Sequence, residues 1–321
     1  MPREVVQVVP AGKLVYGMQL PIQAQSTMFV APWELTAGAD ELVEIARACD
    51  DNGFFYVAVC DHVCVPRERA AAMNTTWYDP IATLGFLAAA TRRVRLMSHV
   101  LVVPYRHPLV TAKAFATLDA LSAGRVILGV GAGHLEGEFE LLGLDYQGRG
   151  AVTDAAIDVI RDALAEEYPD VRTPVWGHLH DAGMAPRPRQ RPLPIWVGGS
   201  SKPALRRAAE RGDGWLPQGT PRADMPGQIA YLLEHRKRTR GDEPIDLGTI
   251  TEVLYVGQPS WDVGEATLTG SPDSVAERLN EFGAMGVSHL QVRFRNRSLD
   301  ELLDQMDTFA RDVAPHLHRP A

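Results

Sequence analysis

Asp61 and His62 close the apolar run 54–59 and so set a carboxylate and an imidazole at the end of a buried strand. An imidazole titrates near neutrality and can hydrogen-bond a substrate or accept a proton; a lone strand-end histidine is more often structural, but the neighbouring Asp61 and a second polar strand end favour function here. The run 94–102 repeats the pattern, with Ser98 and His99 interrupting an aliphatic stretch before Val100 and a turn bounded by Pro104 and Pro108. Polar side chains on a buried strand need partners or a ligand. Gly129-Val130-Gly131-Ala132-Gly133 ends a further run. Glycines there let backbone approach a flat ring or a phosphate, or simply make a tight turn. Ile195-Trp196-Val197-Gly198-Gly199-Ser200-Ser201 reads as a strand, a small-residue turn and a helix start. Free N–H groups at such a start, with two hydroxyls and Lys202 nearby, suit a phosphate, while the serines can also cap a helix without any ligand.

Two rival chemistries are weighed against this pattern. A G-x-G-x-G run occurs in dinucleotide-binding folds, but there it occupies the first strand–helix turn, and nothing over 15–26 supplies it. Cys60, His62 and Cys64 alternate along the chain, and His178 and His180 repeat the spacing, which raises a metal hydrolase. Barrel hydrolases of the amidohydrolase type carry their histidine pair on the first strand, which has none here, so no metal is expected.

These residues must be positioned by a scaffold. Strand-like runs over 15–20, 54–59, 94–102, 126–130, 195–197, 214–216, 252–256 and 290–294 alternate with amphipathic stretches over 39–50, 80–90, 111–121, 153–166, 204–211, 225–238, 272–285 and 299–313. Strands alternating with helices in this number predict an α/β protein with a (β/α)8 barrel, whose sites lie at the C-terminal ends of the strands. The segment 131–194 exceeds the minimal unit and is expected to be an insertion after the fourth strand that covers the barrel mouth. Its run from Pro186 to Pro192 is basic, and Arg187, Arg189 and Arg191 could form a rim for an anionic cofactor tail. Trp77, Met73, Trp176 and Met184 suggest apolar pocket walls.

The chain has 321 residues, 45% hydrophobic and 22% charged, with net charge −8. That balance suits a soluble enzyme and opposes a nucleic-acid binder, which needs a basic face. No apolar run is long enough to span a membrane, and the first residues lack a signal-peptide core. Three cysteines are too few for a disulfide framework, so a cytoplasmic location is expected.

Taken in order, Asp61-His62-Val63, Trp77-Tyr78-Asp79-Pro80, the stretch 98–108, Leu118 to Arg125, Gly129 to Gly133 and Trp196 to Ser201 resemble the luciferase-like monooxygenase superfamily, and within it the branch that uses the deazaflavin coenzyme F420. The resemblance runs from Tyr16 to about Pro315 and implies one barrel domain over 1–321. It implies a flavin-like ring at the mouth, supported by a bulge at Ser98-His99-Val100 with a cis peptide at His99–Val100. It further implies that Asp61 and His62 lie near ring and substrate, that Gly131 and Gly133 pass close to the cofactor, and that Gly199, Ser200 and Ser201 hold phosphate. The implied reaction is hydride transfer between F420 and a small organic substrate, with His62 handling the proton and a homodimer as the assembly. Two other readings stand beside it: a flavin mononucleotide (FMN) dependent monooxygenase on the same fold, and a barrel that binds its ligand without turnover.

Overall fold

Val15–Gln19, Tyr56–Val59, Arg95–Ser98 and Val126–Gly131 are the first four strands of a parallel ring in the computed structural model, which describes residues 6–319. Ile195–Gly198, Gly214–Leu216, Asp246–Ile250 and His289–Val292 are the other four. The ring closes where Val15 pairs with His289 and where Leu96 and Met97 of the third strand pair with Val126 and Ile127 of the fourth. Helices including Ala39–Asp51, Pro80–Ala90 and Pro108–Leu121 return the chain outside it, which makes the expected (β/α)8 barrel. Among the described residues no helix is long and apolar enough to cross a membrane.

Alternation along the strands builds two apolar clusters. Val57, Val59, Leu96, Leu128 and Leu290 face the helices, whereas Tyr56, Ala58, Met97, Ile127 and Trp196 fill the barrel interior. Fully burying one such side chain contributes about 1.5–3 kcal/mol. Three large interior rings fit over glycines of the neighbouring strand. A Cβ on Gly17 would strike Tyr56, one on Gly214 would strike Trp196, and one on Gly248 would strike His289. Trp196 and His289 stack with centroids 4.1 Å apart, and Tyr56 stands edge-on to both. Below them, the backbone N–H groups of Val8 and Val9 donate to Asp246 Oδ2 at 2.8 and 3.2 Å, and both valines join the interior cluster to close the barrel floor.

Two expectations need correction. The seventh strand is Asp246–Ile250, not 252–256; Leu254–Val256 instead pairs with Leu268–Gly270 in a small separate ribbon. Asp246 and Gly248 interrupt the apolar run that marks a buried strand, because one serves the floor and the other makes room for His289. The segment 131–194 also divides. Its first part borders the mouth, and Arg149–Ala165 is an ordinary barrel helix. Beyond it, neither the hairpin of Val171–Thr173 with Gly177–Leu179 nor the proline-rich run lines the mouth cavity. Gln190 bonds Asp119 and the Val126 carbonyl and accepts from Arg95, all near the N-terminal ends of strands, while Arg187 donates to the Ala165 carbonyl at a helix C-terminus. Arg187, Arg189 and Arg191 therefore sit by the floor and cannot form a rim at the mouth.

Candidate active site

A cavity of about 780 Å³ opens at the C-terminal ends of the strands, within the range of about 300–1,000 Å³ common for small-molecule sites. Asp61, His62, His99, Val100, Gly131, Gly133 and the Gly199-Ser200-Ser201 turn all border it. Ser98 does not. It is fully buried, its hydroxyl donating to the Gly129 carbonyl at 2.8 Å and accepting the Gly129 N–H at 3.1 Å, so it staples the third strand to the fourth. Of the apolar wall residues, Trp77 and Met73 line the cavity, whereas Trp176 and Met184 pack against the core elsewhere.

His62 is held by a residue that the sequence did not single out. Its Nδ1 lies 2.9 Å from Glu138 Oε2. An ionised carboxylate only accepts, so Nδ1 carries the hydrogen and Nε2 is the nitrogen left for another partner. Nε2 has no protein partner among the described residues, and the ring lines the cavity against Trp77, centroids 4.4 Å apart. Glu138, on the short helix Glu136–Leu141, is fully buried; it also accepts from the Val63 and Cys64 N–H groups and from the Tyr105 hydroxyl at 2.8 Å. It thereby ties together the loops after the second, third and fourth strands. Burial pushes this carboxyl upward, but the bonds from His62, Cys64 and Tyr105 outweigh it and hold the group below its ordinary value. His134 stands edge-on to His62 at 5.7 Å; burial, and then His62 itself, pull it down toward the neutral form.

Asp61 faces a different task. Both of its oxygens receive the Arg106 guanidinium, at 2.6 and 2.9 Å, and Oδ2 also accepts the Val102 N–H. Burial holds the carboxyl above its ordinary value, and the fork and the N–H offset only part of that push.

Between them, the His99–Val100 peptide is cis, and the Val100 side chain wedges between the fourth and fifth strands. A Cβ on Gly131 or on Gly198 would come within 2.5 Å of a Val100 methyl, so both glycines exist to seat that valine. His99 is 2% exposed; burial, then Arg293, push it down to about 4, and neither ring nitrogen has a partner among the described residues.

At the fifth strand, Gly199 takes φ +100° and its carbonyl accepts from Trp215 Nε1 at 2.9 Å, which fixes the turn. Ser201 caps the helix Lys202–Arg211, and the Ser200 hydroxyl is bonded to the Gln218 carbonyl and to Thr220. Arg149 and Arg207 border the cavity beside this helix start. Neither was legible as a site residue, because each reads as an ordinary charged helix position. Tyr105, Arg106 and Glu138 were missed for a similar reason: their partners lie on other loops. Arg293 had a usable signal, since Leu290-Gln291-Val292-Arg293 alternates apolar with polar at the end of a strand. Among the described residues no group of three or more His, Cys, Asp or Glu side chains could hold a metal.

Residues 21–258 match the family model described as luciferase-like monooxygenase. The chain belongs to that family. It is 33% identical over 279 residues to 4-hydroxyprotoasukamycin monooxygenase of Streptomyces nodosus subsp. asukaensis, covering 84% of this chain and 73% of that one. It is 26% identical to the F420-dependent glucose-6-phosphate dehydrogenase of Intrasporangium calvum, covering 90% of this chain and 99% of the other. An F420-dependent secondary alcohol dehydrogenase solved with an F420-acetone adduct superposes with TM-score 0.77 at 16% identity, covering 95% and 99% of the two chains, which establishes the shared fold. The family member described here is thus an oxidoreductase-type barrel whose relatives include both F420-dependent dehydrogenases and monooxygenases.

Proposed function

We propose that this family member transfers a hydride between the deazaflavin coenzyme F420 and a small organic substrate. The observation that carries the reading is the His62–Glu138 pair: an imidazole oriented through Nδ1, with a free Nε2 facing the cavity. Oxidising an alcohol-type carbon removes a hydride from carbon and a proton from oxygen, and Nε2 is built to hold that proton. In the reverse direction His62 returns it. Glu138 fixes the tautomer and stabilises the charged ring, while Tyr105 and the Val63 and Cys64 N–H groups hold Glu138 in place. Asp61 acts as a positioning residue, locking Arg106 and the Val102 backbone on the loop after the third strand.

The residues present fit such a coenzyme. Val100, seated by Gly131 and Gly198, offers an apolar support for a flat ring. His99 borders the same cavity, and its two unpartnered ring nitrogens lie buried just beneath that wall. Ser200, Ser201 and Arg149 surround a helix N-terminus suited to phosphate. When bound, the deazaflavin supplies the carbon that takes or gives the hydride.

A second reading, an FMN-dependent monooxygenase, draws support from the Streptomyces relative, because that enzyme is named a monooxygenase and is the more similar of the two relatives in sequence. Titrating the purified protein separately with F420 and with FMN, followed by fluorescence and absorption, decides between them. Binding of F420 alone upholds hydride transfer, FMN alone moves the assignment to oxygen chemistry, and binding of neither removes both.

A further inference from the structure

His289, Gln291 and Arg293 alternate along and just past the eighth strand toward the barrel interior, while Leu290, Val292 and Phe294 face the helices. Arg293 is the uppermost of the inward series and reaches the mouth cavity. Its guanidinium lies over the Phe29 ring, 4.0 Å from the centroid, and makes no hydrogen bond or ion pair among the described residues. Glu34 lies near enough to attract it electrostatically but makes no ion pair with it, because its two oxygens accept from the Ile22 and Ala31 N–H groups. A guanidinium presents five donors, and Arg293, only partly withdrawn from water at the cavity wall, leaves them open to an anion.

Strand order says whose anion would answer it. Gln19 ends the first strand, and Asp61-His62 and Arg293 follow the second and eighth, which are its two neighbours in the ring. The Ser200-Ser201 turn follows the fifth strand, across the mouth from that group. The cavity therefore has two cationic poles, and Arg293 shares its half with the proton-handling His62. Around this half the walls are apolar: Met28, Phe29, Met73 and Trp77.

We propose that Arg293 anchors the anionic end of the substrate, so that the substrate class is an apolar, preferably aromatic, organic anion such as a carboxylate or enolate. The proposal rests on the cavity reading given above and refines it. The Phe29 ring lies against the guanidinium and supports it at the cavity wall, and the neutral His99 beside it adds no competing charge.

The test uses benzoate and its neutral counterpart benzamide as probes, titrated calorimetrically into the full chain. Benzoate is expected to bind at least about tenfold more tightly than benzamide, and Arg293→Gln is expected to erase that preference while leaving coenzyme affinity within about twofold. Arg293→Lys, which keeps the charge, should retain part of the preference and decides the matter should the glutamine variant fail to fold. Equal binding of the two probes by the unaltered protein overturns the proposal, as does a benzoate preference that survives in Arg293→Gln. A large loss of coenzyme affinity in Arg293→Gln with benzoate binding intact also overturns it, because the anion would then belong to the coenzyme. Failure of F420 and FMN to bind the unaltered protein would instead remove the coenzyme reading and leave the benzoate measurement readable.

Discussion

A histidine becomes a proton carrier when one ring nitrogen is occupied and the other is aimed, and Glu138 does the first for His62. His62→Ala should lower kcat by about 100-fold or more while changing coenzyme affinity by less than about threefold, read from steady-state kinetics beside a binding titration. Glu138→Gln keeps the shape but loses the carboxylate, and a fall in kcat of about tenfold or more is expected. The same variant has a stability signature. A buried carboxyl held below its ordinary value stabilises the fold above that value and loses the contribution as acid protonates it. Glu138→Gln should therefore unfold at lower urea than the unaltered chain at pH 7, with the gap narrowing toward pH 3. His62 was legible in the sequence because it ends an apolar run. Glu138 was not, since Glu136, Glu138 and Glu140 look alike on a short acidic helix and only burial separates the middle one from its neighbours.

Elements meet at Val100, where the third strand leans on the fourth and fifth. Gly131→Ala should collide with a Val100 methyl and cost about 1–3 kcal/mol of unfolding free energy, with weakened coenzyme binding. Adding Val100→Ala should restore much of that stability, and a double-mutant cycle by urea unfolding measures the coupling. Additive losses would show that the valine is not what the glycine accommodates. The G-x-G-x-G run was visible as backbone meant for close approach, but the sequence could not say that a neighbouring valine is what approaches. The seventh strand was misplaced by similar logic. A search for continuous apolar residues passes over Asp246 and Gly248 and stops at 252–256, where the chain has already left the barrel. Every other strand expectation overlaps an observed barrel strand, most plainly where the strand is buried on both faces and rich in aliphatic residues, as over Tyr56–Val59 and Val126–Gly131.

The barrel as a whole is closed from below by residues far apart in sequence, Val8 and Val9 on Asp246. Burial pushes the Asp246 carboxyl up to about 7, against the pull of the two N–H groups. A carboxyl raised in the folded state favours folding below its unfolded value near 4 and loses that contribution as pH rises through 7. Relative to Asp246→Asn, the unaltered chain should lose stability between about pH 4 and pH 7, on the order of a few kcal/mol at most, as followed by urea unfolding across that range. A constant difference between the two proteins would show that Asp246 does not titrate there. Above this floor, Tyr56, Trp196 and His289 each occupy the space of a missing side chain on the adjoining strand, at Gly17, Gly214 and Gly248. Neither partner in such a pair is free to vary alone: a side chain at the glycine needs a smaller ring opposite, and a smaller ring leaves a void that the glycine cannot fill. Across related chains these positions should therefore drift in step, two by two, so that the interior of the barrel carries a record of paired exchanges while its outer wall changes one residue at a time.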